Sequence, residues 1–256
     1  MSTRDFYDQL SPFYHLIFAD WEASIQRQAA QLDSLIEEFW GEQVHTILDV
    51  SCGIGTQAIG LAQLGYHVTA SDLSAAAIER AKAEAFERRL KIDWSVADMR
   101  QAYIHHQRQF DVVIACDNST PHLLNDDDIL TAFRQFYACT KPGGGCLITV
   151  RDYDQVERRG VQVKPDGLRI ENGVRYFIFQ VWDFKGDIYD LSMYLVADNG
   201  DNEVRTQVMR TQYYAVSPNT LAALMAEAGF VDVIRLDDRF YQPVILGKKP
   251  NVAAKV

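Results

Sequence analysis

Residues Ile47-Leu48-Asp49-Val50-Ser51-Cys52-Gly53-Ile54-Gly55 decide how the rest of the chain is read. An apolar run ends in a carboxylate and then in a turn with two glycines, the pattern of a buried β-strand that delivers the chain to a ligand. Gly53 and Gly55 can take positive φ and let a ligand approach the backbone, and the helix predicted to open near Thr56 presents unpaired N–H groups. Tyr66-His67-Val68-Thr69-Ala70-Ser71 reads as the next strand and ends at Asp72, where an acidic side chain suits ribose hydroxyls.

Two ligand classes fit this far. Gly53-x-Gly55-x-x-Ala58 with Asp72 downstream also satisfies a loose nicotinamide-dinucleotide fingerprint. Asp49 favours the other class. A carboxylate four residues before the first glycine crowds a pyrophosphate but suits the ammonium of an amino-acid moiety such as methionine, which points to S-adenosylmethionine.

Working outward, strand and helix signals alternate from about residue 44 to 152. Helices are expected at Thr56–Leu64, Ala75–Arg89 and Asp127–Ala138, the last with Asn125 or Asp126 as N-cap, and a strand at Val112–Ala115. Lys141-Pro142-Gly143-Gly144-Gly145 is expected to stop a helix and turn into a strand at Cys146–Val150. Such alternation implies a parallel sheet with covered faces. A further helix at Ser217–Ala228 and strands at Val231–Leu236 and Pro243–Leu246 complete the core, and residues 1–43 read as helical.

Residues 153–214 break the pattern. Arg175–Asp183, Ile188–Ala197 and Glu203–Tyr214 are β-rich runs separated by Lys185-Gly186-Asp187 and the turn cluster Asp198–Asn202, an antiparallel meander. It leaves the sheet at Arg151, at the carboxyl edge where α/β proteins bind ligands, so a cap over the active site is the economical reading. A surface for homo-oligomer formation is compatible with it. The division expected is 1–43 as an N-terminal helical segment, 44–152 with 215–250 as the α/β core, and 153–214 as the cap.

The 256 residues are 48% apolar, enough for one sizeable core. A formal charge of -10 disfavours a nucleic-acid backbone as partner and favours a small molecule. No leader-like apolar segment and no run of about 20 apolar residues is present, so neither export nor a membrane is expected and the chain reads as cytoplasmic. Cys52, Cys116, Cys139 and Cys146 lack C-x-x-C or histidine spacing, so no metal site is expected. Cys52 and Cys116 fall at strand ends beside the ligand loop.

With these pieces placed, the chain resembles the class I S-adenosylmethionine-dependent methyltransferases over nearly its whole length, and within them the glycine/sarcosine N-methyltransferase group. Leu48–Gly55 looks like the cofactor loop, with Asp49, Ser51, Gly53 and Gly55. Ser71-Asp72-Leu73-Ser74 looks like the ribose-binding turn, with Asp72 and Leu73, and Ala97-Asp98-Met99 like the adenine contact. Cys116-Asp117-Asn118-Ser119-Thr120-Pro121-His122-Leu123 and Val150-Arg151-Asp152-Tyr153-Asp154 carry the resemblance to the subgroup. It implies a Rossmann-like fold with a mostly parallel seven-stranded sheet, N-terminal helices and an antiparallel β cap, and S-adenosylmethionine as cofactor. It further implies that Asn118 and Arg151 bind the carboxylate of a small amino acid and that Arg27 binds that of the cofactor. An arginine fork at a strand end can grip a carboxylate through two hydrogen bonds.

The chain departs from the group at Asp117, where the family has glycine, and along Tyr7–Trp21, which does not align cleanly. Tyr213 matches a family aromatic better than Tyr7 or Tyr14 does, and His122 is expected to face the pocket. The expected chemistry is in-line transfer of a methyl group to a neutral amine or amino acid, with Asp117 or His122 able to accept a proton. O- or C-methylation of a small molecule, nicotinamide-dependent oxidoreduction and cofactor binding without turnover remain open at this point.

Other signals are read plainly. Tyr137-x-x-x-Lys141 is a helix terminus, Asp126-Asp127-Asp128 is a helix start that complements the macrodipole, and His105 and His106 are solvated.

Overall fold

The computed structural model describes residues 2–200 and 203–251, so Asp201 and Asn202 of the expected turn cluster lie outside the described residues. In chain order the strands are β1 (Thr46–Asp49), β2 (His67–Asp72), β3 (Asp93–Val96), β4 (Phe110–Ala115), β5 (Thr140–Thr149), β6 (Val161–Glu171), β7 (Val174–Lys185), β8 (Ile188–Asp198), β9 (Val204–Tyr214), β10 (Val231–Leu236) and β11 (Val244–Lys248). The helices are α1 (Thr3–Leu10), α2 (Trp21–Trp40), α3 (Thr56–Gln63), α4 (Ala75–Glu87), α5 (Ala102–His106), α6 (Asp126–Cys139) and α7 (Pro218–Glu227).

Seven strands form one sheet in the order β10-β11-β5-β4-β1-β2-β3, parallel except at β11, which runs antiparallel to both its neighbours. The short β1 is central because each of its residues is needed inside: Ile47 and Leu48 are fully buried and face opposite layers. Ile47 packs toward Leu32, Ile36 and Ile78, and Leu48 toward Phe133, Phe136 and Ile148. A strand buried on both faces reads as a continuous apolar run, which is why β1 and β4 were legible in the sequence. From β1 the chain winds outward both ways, to β2 on one side and β4 on the other, and Asp49 lies level with Ala70 and Ile114. That divergence opens a crevice above the carboxyl ends of the strands.

The expected helix starts hold with their caps: Ser74, Asn125 and Ser217 each accept from the backbone N–H three residues on. Strand β5 begins earlier than expected. Thr140 already pairs with Phe110, and the ladder then skips to Val112 with Gly145, so the glycine run is a bulge within the strand rather than a turn before it. A Cβ on Gly144 would sit 2.2 Å from the Asp111 carbonyl oxygen and one on Gly145 2.2 Å from the Trp40 indole nitrogen, so close packing sets those glycines.

The meander has four strands, ordered β6-β7-β8-β9, one more than expected. Pro165-Asp166-Gly167 looks like a turn in sequence; here it is a bulge between the pairs Pro165–Phe179 and Gly167–Ile178. Along β8 the inward residues Tyr189, Leu191, Met193 and Leu195 are buried in the same core as Leu48 and Phe133. The second sheet therefore packs on the first, and β9 also touches α1.

Candidate active site

Above the crevice lies a cavity of about 370 Å³, within the usual range for a small-molecule site. Its floor is the β1 loop. Gly55 takes φ +96° as it starts α3, and a Cβ there would press on Ile59 and Trp94 at 3.0 Å, so only glycine fits. Gly55 itself does not line the cavity, whereas Ser51, Cys52, Gly53 and Ile54 do.

Asp72 holds that floor in place. Its carboxylate accepts from Gly53 N at 2.9 Å and Ser74 N at 2.8 Å, and it lines the cavity beside Leu73. Burial pushes its carboxyl up, against those backbone donors. Asp49 is 1% exposed and lies beneath the floor rather than in the wall: Oδ1 accepts from Ser51 N at 3.1 Å, and Oδ2 is buried without a partner. Burial raises its carboxyl to about 7.

The next wall comes from β3 and the turn after it. Asp98, Met99 and Arg100 line the cavity, with Asp98 bound by the Arg100 guanidinium at 2.6 Å and Arg100 also paired with Asp128 at 3.1 Å. Burial would raise the Asp98 carboxyl, but the arginine outweighs it and holds the group below its ordinary range. Cys116 lines the cavity as a small buried thiol.

The cover is aromatic and comes from the N-terminal segment. Tyr7 of α1 and Tyr14 of the following 3-10 turn both line the cavity. Asp8 anchors α1 to the start of α4, accepting from Ser74 Oγ at 2.5 Å and Ala76 N at 3.2 Å. The Tyr7 hydroxyl meets His122 Nε2 at 2.8 Å, and the His122 ring lies 4.0 Å from that of Tyr213. Burial pushes His122 down to about 3, so it is neutral at ordinary pH.

A second, small chamber of about 80 Å³ adjoins this cover and is lined by Tyr7, Tyr14, Asp117, Asn118, Arg151 and Tyr213, among others. Asp117 lines both spaces. Its carboxylate accepts from the Tyr241 hydroxyl at 2.6 Å; burial raises the carboxyl, while Tyr241 and the Arg151 charge oppose the rise. Arg151 makes no ion pair among the described residues. Its guanidinium lies 4.6 Å over the Trp182 ring and 3.3 Å from the Tyr189 hydroxyl. The neighbouring carboxylates are engaged elsewhere: Asp152 with Arg235 at 2.6 Å and Asp154 with Arg158 at 3.4 Å.

Several expected site residues are placed differently. Arg27 is a correction: it is exposed on α2, bonded to Ser24 Oγ at 2.9 Å, and does not line the cavity, because the inward positions of that turn are Ser24, Ile25 and Gln28. Asn118 lines the inner chamber, yet its amide is occupied, donating to the Tyr153 hydroxyl at 2.9 Å and accepting from Arg151 N at 3.0 Å. His106, expected in solvent, is partly buried 3.2 Å from Ser71 Oγ. Tyr7, Tyr14 and Tyr241 were not among the expected site residues. The density of aromatics between Phe6 and Trp21 was the only sequence sign of the first two, and Tyr241 gave none.

Residues 47–144 match the family described as "Methyltransferase domain". The glycine/sarcosine N-methyltransferase of Parasynechococcus marenigrum (strain WH8102) is 28% identical over 190 residues, 68% of this chain and 65% of that one, so the match spans slightly less than two thirds of the relative's length. Residues 47–144, less than half of the chain, are thus similar to methyltransferase domains. The chain shares its fold with an S-adenosylmethionine-dependent methyltransferase from Clostridium acetobutylicum ATCC 824, with a TM-score of 0.75 at 16% identity over 96% of this chain and 98% of that one. It shares it also with the S-adenosylmethionine-bound amino pentose methyltransferase CalS10 of Micromonospora echinaspora, with a TM-score of 0.76 at 18% identity over 88% and 92%. No helix among the described residues is long and apolar enough to cross a membrane.

Proposed function

We propose that the protein N-methylates a small amine that carries a carboxylate, an amino acid or a close analogue. The observation that carries this reading is the pairing of charges in the inner chamber: an arginine without a carboxylate partner, Arg151, and a carboxylate, Asp117, which also borders the larger cavity. A zwitterion satisfies both, and it places its nitrogen on the Asp117 side, toward the methyl donor.

The larger cavity fits S-adenosylmethionine. Asp72 would hold the ribose hydroxyls, the Ser51–Ile54 backbone the amino-acid end, and Asp98 with Met99 the adenine. The unpartnered Asp49 Oδ2, buried under the loop, adds negative potential beneath the cationic end of the ligand. When bound, the cofactor supplies a sulfonium-activated methyl group: the amine lone pair forms the N–C bond as the C–S bond breaks, and that electron pair stays on sulfur.

The protein's own work is to position and desolvate. Tyr7, Tyr14 and Tyr213 close the space above the reacting atoms and exclude water. An ammonium has no lone pair, so the acceptor must shed a proton. Asp117, made more basic than an ordinary carboxylate by burial, takes it at the chamber wall. His122, neutral and held by Tyr7, buttresses Tyr213. The antiparallel sheet acts as the cap, supplying Tyr213, Gln180 and Leu191 to the chamber.

Screening glycine, sarcosine and other amino acids against the matching amines without a carboxylate, by S-adenosylhomocysteine release, tests the reading. Amino acids are expected to react and the decarboxylated amines to react at least 100-fold more slowly in kcat/KM. Equal rates would leave only small-molecule methyl transfer standing.

A further inference from the structure

Arg151 and Gln180 line the inner chamber on one side and a second, wider cleft of about 560 Å³ on the other. That cleft lies between the two sheets and shares Asp117 with the cofactor cavity, and Asp152, Asp166 and Tyr241 also border it. It is much larger than the chamber, and its wall holds three carboxylates against one arginine.

Those carboxylates are not equivalent. Asp152 is paired with Arg235 at 2.6 Å, and Asp117 accepts from Tyr241 at 2.6 Å. Asp166 makes no ion pair among the described residues; its one side-chain hydrogen bond is from Gln180 Nε2 to Oδ2 at 2.9 Å. The Arg151 and Arg169 charges act on it from a distance, but neither guanidinium bonds its carboxylate. Arg169 spends its guanidinium on the carbonyl oxygens of Phe18 at 2.7 Å, Leu168 at 3.0 Å and Asp166 itself at 3.1 Å. Lys164 is held 5.1 Å over the Trp182 ring, outside the cleft wall. Gln180 is fixed in turn, its Oε1 accepting from Trp182 Nε1 at 2.9 Å, so the amide cannot swing away from Asp166. A partly buried carboxylate with one neutral donor and no ion-paired cation among the described residues, in a cleft that opens from the acceptor chamber, can receive a further cation.

We infer that the outer cleft is a distal subsite for the acceptor, in which Asp166, oriented by Gln180, receives a cationic amine at the far end of the molecule. Resting on the reading of Arg151 and Asp117 as an amino-acid site, this makes the preferred acceptor a diamino acid rather than glycine. The acceptor's carboxylate sits on Arg151, the nitrogen to be methylated faces Asp117, and the side chain leaves the chamber past Gln180. An acidic side chain in the same place meets Asp166 and is rejected.

The test uses the full-length protein with glycine, 2,4-diaminobutyrate and glutamate as acceptors, read by S-adenosylhomocysteine release. Calorimetry of each amino acid binding to the protein–S-adenosylhomocysteine complex is the second readout. The diamino acid is expected to exceed glycine at least tenfold in kcat/KM and glutamate by more. Asp166→Asn, which keeps the shape and removes the charge, is expected to collapse the ratio of diaminobutyrate to glutamate. If no amino acid is methylated but diaminobutyrate still binds more tightly than glutamate in a way that Asp166→Asn abolishes, the distal subsite stands and the assigned reaction fails. If glycine is methylated and neither readout separates the three acceptors, or Asp166→Asn leaves the ratios unchanged, the subsite is refuted and the assigned reaction survives.

Discussion

Asp117 and Arg151 border the same 80 Å³ chamber with opposite charge, and no carboxylate among the described residues lies in ion-pair contact with the arginine. The aspartate follows β4 and the arginine follows β5, adjacent parallel strands, so the sheet itself fixes their separation. Asn118 locks the two segments together by accepting from Arg151 N at 3.0 Å.

Arg151→Lys should lower kcat/KM for amino-acid acceptors by roughly 2–3 kcal/mol, because the ammonium cannot form the bidentate grip. Cofactor affinity should stay within about twofold, since Arg151 does not border the cofactor cavity. Steady-state kinetics and calorimetry on one preparation check both. A drop in stability alone would assign the arginine to the fold, through its stacking on Trp182.

Asp72→Ala should weaken S-adenosylmethionine binding by about 1.5–3 kcal/mol, the scale of a lost charge-assisted hydrogen bond. It should also loosen the β1 loop, because the carboxylate accepts from Gly53 N at 2.9 Å. Hydrogen exchange at residues 51–55 of the apo protein would report the second effect. Unchanged affinity would remove Asp72 from the cofactor site.

The pH dependence of apo stability follows from Asp49. Its carboxyl rises from 3.8 to about 7 in the fold, so the folded state binds the proton more tightly than the unfolded chain. Stability from this group is therefore lost as pH rises through that window, at roughly 1.4 kcal/mol per unit, and it is fully present only below it. Asp49→Asn should flatten the fall between pH 5 and 7 in thermal unfolding without ligand. Parallel profiles for the two proteins would show that Asp49 is not the titrating group.

Tyr241→Phe removes the hydroxyl that donates to Asp117 at 2.6 Å. That donor stabilises the charged carboxylate, so its loss should raise the Asp117 pKa further. Because the proton acceptor must be charged, the acidic limb of the kcat/KM profile should move to higher pH, with cofactor affinity intact. An unmoved limb would mean that the proton leaves by another route.

The core of the site was legible because its signals are local. Ile47–Gly55 and Asp72 are a strand, a turn and a strand end, and the parallel sheet brings them together by connectivity alone. Arg27 was misplaced because a resemblance fixes a position along the chain, whereas the phase of α2 decides which way each residue points. Asp49 was expected beside the ligand, but its alternation within β1 turns the side chain under the loop. Strand β6 went unread because Pro165-Asp166-Gly167 makes a bulge from residues that usually make a turn. Tyr7, Tyr14 and Tyr241 reach the site by tertiary packing of the N-terminal segment and the β10–β11 loop, for which no periodicity exists.

Asp117 and Asn118 are consecutive non-glycine residues with φ of 57° and 60°, held there by hydrogen bonds from both amides to Thr149. Each such residue stores on the order of 1–2 kcal/mol relative to glycine. At the first of these positions the chain keeps an aspartate in a backbone conformation that favours glycine. If Asp117 accepts the proton as proposed, Asp117→Gly would relieve this strain and remove that acceptor in the same step, so thermostability and the proposed transfer would compete for a single codon.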